Sequence, residues 1–188
     1  MRFHPVPVLH PMRWGWILAA AACGPAVSPP VATEVVPDDA EAPAPSACVA
    51  TEPGVFVDGS WHSPSLQAAL DDAPAGAVVA VCGGVWLGPF SAPRAVILEG
   101  AGSGVTILEG YNPGSVLTVA PGSTVRGVTL RGGADAPAGG GLRLEGPGAY
   151  TVADCVIEGN AARIGGGIAT GAGATVTISG TTVRDNTA

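Results

Sequence analysis

Residues 139–164 read GGGLRLEGPGAYTVADCVIEGNAARI, and residues 165–188 repeat the pattern as GGGIATGAGATVTISGTTVRDNTA. The two segments align without a gap when Gly139 is matched to Gly165. This alignment places Tyr150-Thr151-Val152 on Val176-Thr177-Ile178. A repeat of this length is typical of stacked supersecondary units, each too small to bury its own apolar side chains. The sequence therefore predicts a solenoid in which every unit contacts only its neighbours.

Each repeat contains short runs of β-branched and apolar residues, none of them long enough for a helix. Side chains alternate between the two faces of a strand, so Val152, Cys155 and Ile157 are expected to point inward. The equivalent positions in the next repeat are Ile178, Thr181 and Val183. Similar runs continue upstream to residue 78, the nearest at a slightly longer spacing. We therefore predict an all-β fold, a parallel β-helix of about four coils.

Glycine and asparagine recur at the corners of the repeat. Asn160 and Asn186 follow the strand run at equivalent positions. They are either a row of metal or sugar ligands or, as we favour, a structural amide ladder that tolerates a left-handed backbone. Two glycine triplets are expected to supply positive φ angles and close backbone approach; they are Gly139, Gly140, Gly141 and Gly165, Gly166, Gly167. They do not form a phosphate-binding loop, because the chain contains neither a Gly-x-Gly-x-x-Gly nor a Gly-x-x-x-x-Gly-Lys motif and has no lysine.

The N-terminal residues have the features of an export signal. Arg2 and Arg13 precede a short apolar segment, 14–22, which cannot span a bilayer but suits a secretion signal. Ala20-Ala21-Ala22-Cys23 resembles the lipobox of bacterial lipoproteins, which implies that Cys23 is lipidated. Ordinary signal cleavage is the alternative. We expect residues 1–22 to be the signal and the lipid to hold the protein at the bacterial outer membrane, facing the periplasm or the exterior.

The amino-acid composition predicts a disordered tether and a negative net charge. Residues 24–47 contain six prolines and four acidic residues but no cation or aromatic residue, so residues 23–47 are predicted to be a disordered tether. Removal of residues 1–22 would leave six arginines against 15 acidic residues, a formal charge of −9. This charge argues against nucleic acid as a partner.

Three cysteines remain once Cys23 is assigned to the lipid. Cys48 follows the tether and Cys82 ends the first predicted strand, and in an oxidising compartment these two are expected to form a disulfide. Two separate buried thiols are the alternative. Cys155 occupies an inward position of the repeat and is interpreted as part of the core, because a catalytic thiol needs a base and electropositive surroundings.

Residues 48–94 are predicted to form an N-terminal cap. The segment from Ser63 to Asp72 predicts an amphipathic helix over about residues 64–73, with a cap residue, an early proline and one apolar face. A strand is predicted at 77–82, and Gly84-Val85-Trp86 follows it. These elements resemble the cap of the pectin-lyase-like right-handed β-helix superfamily, which implies a helix that plugs the end of a right-handed barrel and a Trp86 packed against it.

Residues 155–161 and 165–168 are similar to the repeats of chlamydial polymorphic outer membrane proteins. The two resemblances imply that residues 95–188 form the coils of the β-helix. Lyases, hydrolases and adhesins all share this scaffold. Polysaccharide lyases of this fold hold calcium in a carboxylate cluster beside an arginine or lysine base. Here the acidic residues of the coils are scattered through the repeat. The one pair at a recurring position, Glu158 and Arg184, predicts an exposed ion pair between adjacent coils.

We therefore expect a lipid-anchored surface module, adhesin-like or glycan-binding, that is not an enzyme and uses no cofactor or metal. Its partner would be a carbohydrate or a protein at the cell surface. A polysaccharide lyase is the alternative, and three carboxylates with an arginine converging in a groove would favour it. Aromatic side chains that could stack on a sugar are few near the coils: Phe90, Tyr111 and Tyr150.

The last repeat stops in mid-coil, since Asn186-Thr187-Ala188 corresponds to Asn160-Ala161-Ala162. We expect a β-helix that is incomplete at its C-terminus, because no capping element follows the last strand run. An uncapped end exposes unpaired strand edges that can pair with another chain. The sequence is thus expected to be a fragment of a longer repeat protein, or its open end docks on a partner or on a second copy.

Overall fold

The computed structural model describes residues 54–111 and 113–188. Over these ranges the chain is mostly sheet with one short helix, and its parallel sheets form a β-solenoid of about four turns. The predicted fold class is confirmed. The predicted signal, the tether, Cys23 and Cys48 lie outside the described residues.

Each full turn of the solenoid contributes one strand to each of three sheets. The first sheet comprises β1 (Val55–Val57), β2 (Ser60–Ser63), β3 (Val78–Val81), β6 (Ile97–Gly100), β9 (Thr124–Arg126), β12 (Gly148–Ala153) and β15 (Ala174–Ser179). The second comprises β4 (Gly84–Gly88), β7 (Thr106–Gly110), β10 (Thr129–Arg131), β13 (Val156–Glu158) and β16 (Thr182–Arg184). The third comprises β5 (Phe90–Ala92), β8 (Leu117–Val119), β11 (Leu142–Leu144) and β14 (Ile168–Thr170).

The register of the parallel strands follows the sequence repeat. Tyr150 pairs with Val176, which is the alignment that the repeat predicted, and Thr151 pairs with Thr124 on the preceding turn. The run that contains Val152, Cys155 and Ile157 is divided between β12 and β13, because Asp154 has a φ of 52° and turns the chain. Strands β11 and β14 lie in segments that the sequence analysis interpreted as corners, so each turn has three sides.

The core is a column of side chains that point into the solenoid. Val152, Cys155 and Ile157 are each at most 1% exposed, as the alternation predicted. Ile178 and Val183 on the last described turn are each 50% exposed. The difference arises because β15 and β16 are terminal strands of their sheets and have a neighbouring strand on one side only.

The helix α1 (Leu66–Asp72) covers one end of this core with three buried side chains, Leu66, Ala69 and Leu70. It begins slightly later than the predicted residue 64, because Ser65 is the N-cap and its hydroxyl accepts a hydrogen bond from the Ala68 amide at 3.4 Å. The side chain of Trp86 is also buried, and its indole nitrogen donates to the Cys82 carbonyl at 3.0 Å. No helix in the described ranges is long and apolar enough to cross a membrane.

A hairpin that the sequence analysis missed extends the first sheet beyond β3. Strand β1 pairs antiparallel with both β2 and β3, and Val55 lies opposite Val81. The hairpin turns at Asp58 and Gly59, whose φ angles are 48° and 79°. The Asp58 carboxylate also accepts a hydrogen bond from the Val78 amide at 2.9 Å, which ties the turn to β3. The first sheet is therefore capped by a reversed strand, whereas the other two sheets are not.

Candidate functional site

A row of charged side chains crosses the second sheet. Arg131 pairs in register with Glu109 on one side and Glu158 on the other, and Glu158 pairs with Arg184. The Nη2 atom of Arg131 lies 2.9 Å from Oε2 of Glu109, and Nη2 of Arg184 lies 2.5 Å from Oε2 of Glu158. The second ion pair is the one that the repeat predicted. The first extends it, so that the row alternates in sign over four neighbouring strands.

This row borders a groove of about 260 Å³ at the corner where the strands of the second sheet end. The lining residues are Glu109, Arg131, Gly132, Glu158, Gly159 and Asp185. Gly132 and Gly159 have φ angles of 74° and 62° and leave the corner open. Asp185 takes the same position one turn later with a φ of 55°, and it adds a carboxylate. Three carboxylates and one arginine therefore line the groove.

The ion pairs leave acceptor capacity facing the groove. Arg131 directs both Nε and Nη2 toward one oxygen of Glu109, at 3.3 and 2.9 Å. No ion pair joins Arg131 to Glu158 within the described ranges, although they lie opposite each other in the register. The Asp185 carboxylate forms neither an ion pair nor a hydrogen bond with the described part of the chain. The groove therefore contains one carboxylate without an ion-pair partner in the described ranges, that of Asp185, beside two ion pairs.

One exposed aromatic ring follows the groove in the chain. Tyr111 is 75% exposed and comes shortly after Glu109. The other candidate rings are buried in the solenoid. Tyr150 donates its hydroxyl to the Glu145 carbonyl at 2.6 Å, and Phe90 belongs to the core cluster. Of the three rings considered from sequence, only Tyr111 presents a face to a ligand.

Asn160 holds the inner side of this corner. It is 1% exposed, its Oδ1 accepts from the Gly133 amide at 2.9 Å, and its Nδ2 donates to the Leu130 carbonyl at 3.0 Å. The interpretation that the asparagines themselves take a left-handed backbone was wrong. The preceding residues, Gly159 and Asp185, have the positive φ angles, which frees each asparagine side chain to point inward. The asparagines support the groove and do not line it.

The glycine triplets use two different properties of glycine. Only the first of each triplet, Gly139 and Gly165, has a positive φ, at 65° and 60°. The second and third glycines allow close packing between turns. A Cβ atom on Gly140 would lie 2.5 Å from the Gly166 carbonyl oxygen, and one on Gly141 would lie 2.8 Å from the Asn160 amide nitrogen. The triplets bring successive turns together and contribute nothing to the groove's chemistry.

The cysteines of the described ranges are not part of the groove. Cys155 is a free, buried thiol, and its burial raises its pKa to about 11, with a smaller contribution from the nearby Asp154 carboxylate. A thiol with this pKa is mostly protonated near neutral pH and is a poor nucleophile. Cys82 is buried at the end of β3. Its predicted disulfide partner Cys48 lies outside the described residues, so the disulfide stays a prediction.

Other charged groups form separate pairs. Arg126 and Glu99, on neighbouring strands of the first sheet, are joined at 2.9 Å, with most of the Glu99 side chain buried. Arg143 and Glu145 form an exposed pair at 3.2 Å beside the third sheet. Within the described ranges no three His, Cys, Asp or Glu side chains are grouped so that they could hold a metal ion.

Glu109 and Arg131 were not predicted from sequence to be members of the charged row. Their signal is a charged residue followed by glycine at a strand end, as in Glu109-Gly110, Arg131-Gly132 and Glu158-Gly159.

In comparisons with known proteins, no family model, no curated protein and no solved structure matches this chain.

Proposed function

We propose that the protein is a glycan-binding module of the bacterial cell envelope. The observation that carries this proposal is the groove that Glu109, Glu158 and Asp185 line together with Arg131. Carboxylates accept hydrogen bonds from sugar hydroxyls, and a guanidinium donates to sugar oxygens. The exposed ring of Tyr111 offers an apolar face close in sequence to these polar groups. A saccharide is the ligand class that uses both properties at once.

The scaffold suits binding because it holds these groups in place before a ligand arrives. Glu109, Arg131 and Glu158 lie on paired strands, and the ion pairs restrict their side chains. Preorganised groups lose less conformational entropy when a ligand binds. The groove is small and open, which fits one or two sugar units of a longer chain rather than an enclosed small molecule.

The N-terminal features complete the proposal. A lipid on Cys23 would anchor the protein at the outer membrane, and the proline-rich residues 23–47 would hold the solenoid away from the surface. Displayed in this way, a chain similar to the pectin-lyase-like β-helices and to the chlamydial repeats would act as an adhesin-like module. Its ligand would be a glycan of the same envelope or of another cell.

A polysaccharide lyase is the second candidate, and the same groove favours it. Three carboxylates and an arginine meet there, which is the arrangement that the sequence analysis set as the sign of this activity. In a lyase Arg131 would have to act as the base. Its Nε and Nη2 atoms are both directed to Glu109, so this part of the guanidinium is engaged in an ion pair and is not free to face a substrate proton. Binding without turnover is therefore the function that we propose first.

A glycan array probed with the 188-residue chain tests the proposal, followed by calorimetry with each bound saccharide. Glu158→Gln, Asp185→Asn and Tyr111→Ala should each weaken binding. Glu145→Gln is the matched control, because it alters an exposed ion pair outside the groove. Incubation with the same glycans, read as reducing ends and unsaturated products, tests the lyase. Turnover abolished by Arg131→Ala would replace the proposal, and an array without any bound glycan would refute it.

A further inference from the structure

We propose that residues 31–36 of this chain add a strand to the open edge of β4 and so complete the cap at the first turn of the solenoid. The three sheets differ at this end. The first sheet continues beyond β3 into the antiparallel strands β1 and β2. At the end of the third sheet, the side-chain amide of Gln67 accepts from the Ser91 amide and donates to the Ser91 carbonyl, both at 2.9 Å. In the described part of the chain, β4 ends the second sheet without such a cover.

The open edge of β4 presents unpaired backbone groups and apolar side chains together. The Gly84 amide donates to the Val105 carbonyl on the next turn at 2.9 Å. Successive residues of a strand direct their amides to opposite sides, so Val85 and Leu87 direct theirs to the open edge. Their side chains are 53% and 60% exposed. An edge of this kind is a template for an added strand, whose backbone pairs with it.

The run Val31-Ala32-Thr33-Glu34-Val35-Val36 is the segment of the tether that suits this edge. It is the longest stretch without proline between residues 24 and 47, and four of its six residues are β-branched. Pro29-Pro30 precede it and Pro37 follows it, and proline cannot donate to a strand ladder. The next longest proline-free stretch, residues 38–42, is acidic and contains no β-branched residue. The run is too short to order by itself, but an existing edge supplies the partner that it lacks.

The path of the chain keeps the run near β4. The Gly54 carbonyl accepts from the Cys82 amide at 3.1 Å, and β4 begins shortly after, at Gly84. Residues 37–53 connect the run to Gly54 and span up to about 56 Å when extended, whereas β4 is about 17 Å long. The predicted disulfide between Cys48 and Cys82 would shorten the connection to residues 37–47, about 36 Å, which still reaches along the whole strand. The run therefore meets the edge at a high effective concentration.

Docking of the run would change how the solenoid is displayed. With a lipid on Cys23, as proposed above, only residues 24–30 would separate the anchor from the docked strand, a distance of at most about 23 Å. The tether would then hold the groove of the second sheet at a short distance from the membrane. The docking itself does not depend on the lipid.

Amide hydrogen exchange of the 188-residue chain, read residue by residue by NMR, tests the inference. The Val85 and Leu87 amides should exchange at least about tenfold more slowly in the wild type than in the double variant Thr33→Pro, Glu34→Pro. The two prolines remove one donor from each side of the run, so neither side can form a full ladder. The matched control, Asp39→Pro with Ala40→Pro, adds two prolines to the tether outside the run and should keep the slow exchange.

Two results would overturn the inference. Equal exchange at Val85 and Leu87 in the wild type and in the Thr33→Pro, Glu34→Pro variant would show that the run does not cover the edge. Equal rates that fall as protein concentration rises would assign the edge to a second copy instead. An equal loss of protection in the control variant would show that the effect does not belong to residues 31–36. Neither result bears on glycan binding, which the array tests separately.

Discussion

The side-chain amide of Asn160 donates from Nδ2 to Oδ1 of Asn186, the equivalent residue one turn later, at 3.0 Å. Asn186 repeats the pattern by donating to the Ile157 carbonyl at 2.8 Å, as Asn160 does to Leu130. Each asparagine thus satisfies backbone groups on the turn before it, and the two side chains are joined to each other. Buried backbone groups need such partners because water cannot reach them. The amide ladder therefore stabilises the tight corner beside which the groove lies.

Replacement of Asn160 by alanine should strongly destabilise the solenoid. The change leaves the Gly133 amide and the Leu130 carbonyl without their side-chain partners at a site that is 1% exposed. We expect a loss of about 2–4 kcal/mol in the free energy of unfolding, measured by urea denaturation. Asn186→Ala is the matched control and should cost less, because Asn186 is only partly buried. Equal losses in the two variants would contradict this account of the ladder.

The glycines of the corner should differ in their tolerance of alanine. Gly140→Ala places a Cβ atom 2.5 Å from the Gly166 carbonyl oxygen and 2.7 Å from that of Ala161, so two turns must separate. We expect a cost of about 3 kcal/mol or more. Gly159→Ala meets nothing within 4 Å and should cost only about 1–2 kcal/mol, from its φ of 62°. Thermal unfolding of both variants compares them, and a larger loss for Gly159→Ala would be the contrary result.

Much of the fold could be predicted because the repeat fixes the pairing. The ungapped alignment of the last two repeats places Tyr150 on Val176 and Cys155 in the core, and the structure agrees at both positions. The hairpin before the helix was missed even though Asp58-Gly59 is a strong turn signal. It stands outside the repeat, so the periodicity that organised the rest of the interpretation did not extend to it.

The groove was harder to predict from sequence than the fold. The charged row is unevenly spaced along the chain, because Arg131 follows Glu109 more closely than Glu158 follows Arg131. The row becomes regular only in three dimensions, since the corner loops that follow the strands differ in length while the strands stay in register. The sequence identified the pair that lies at the repeat spacing, Glu158 and Arg184, and missed the pair that does not.

The buried Cys155 should make stability fall at alkaline pH. Burial raises its pKa from 9.0 to about 11, so the folded state keeps its proton where the unfolded state loses it. The stability is therefore intact below pH 9 and declines as pH rises toward 11, by up to about 3 kcal/mol. Cys155→Val, with the side chain that Val128 supplies one turn earlier, should lack this component. The free energy of unfolding of both proteins is measured by urea denaturation between pH 8 and 11. An equal decline in the two proteins would contradict the prediction.

Lipidation predicts a specific processing route for the N-terminus. Expression of the full chain in a Gram-negative host should give a membrane-bound product acylated at Cys23, and globomycin should block its maturation. Cys23→Ser should accumulate as unprocessed precursor or be released as soluble protein. Mass spectrometry of the mature N-terminus decides between the two routes. Normal maturation and membrane retention of Cys23→Ser would show that the N-terminal signal is not of the lipoprotein type.

The two ends of the solenoid differ in how far their strand edges are covered. Strands β14, β15 and β16 are terminal in their sheets, and Ile178 and Val183 are each half exposed beside these edges. At the opposite end α1 covers the core and β2 extends the first sheet, so stacking of one chain's last turn on another's first is hindered. Two last turns facing each other would instead form a closed dimer rather than a filament.

The last described turn should therefore lead copies of the 188-residue chain to associate in pairs, because pairing satisfies the strand edges and buries Ile178 and Val183. Light scattering should show mass rising with concentration to twice that of the chain. Ile178→Lys should shift the protein toward the monomer, whereas Thr175→Lys, on the same strand with an already exposed side chain, should have a smaller effect. A wild-type monomer at high concentration, or equal effects of the two lysines, would contradict the prediction.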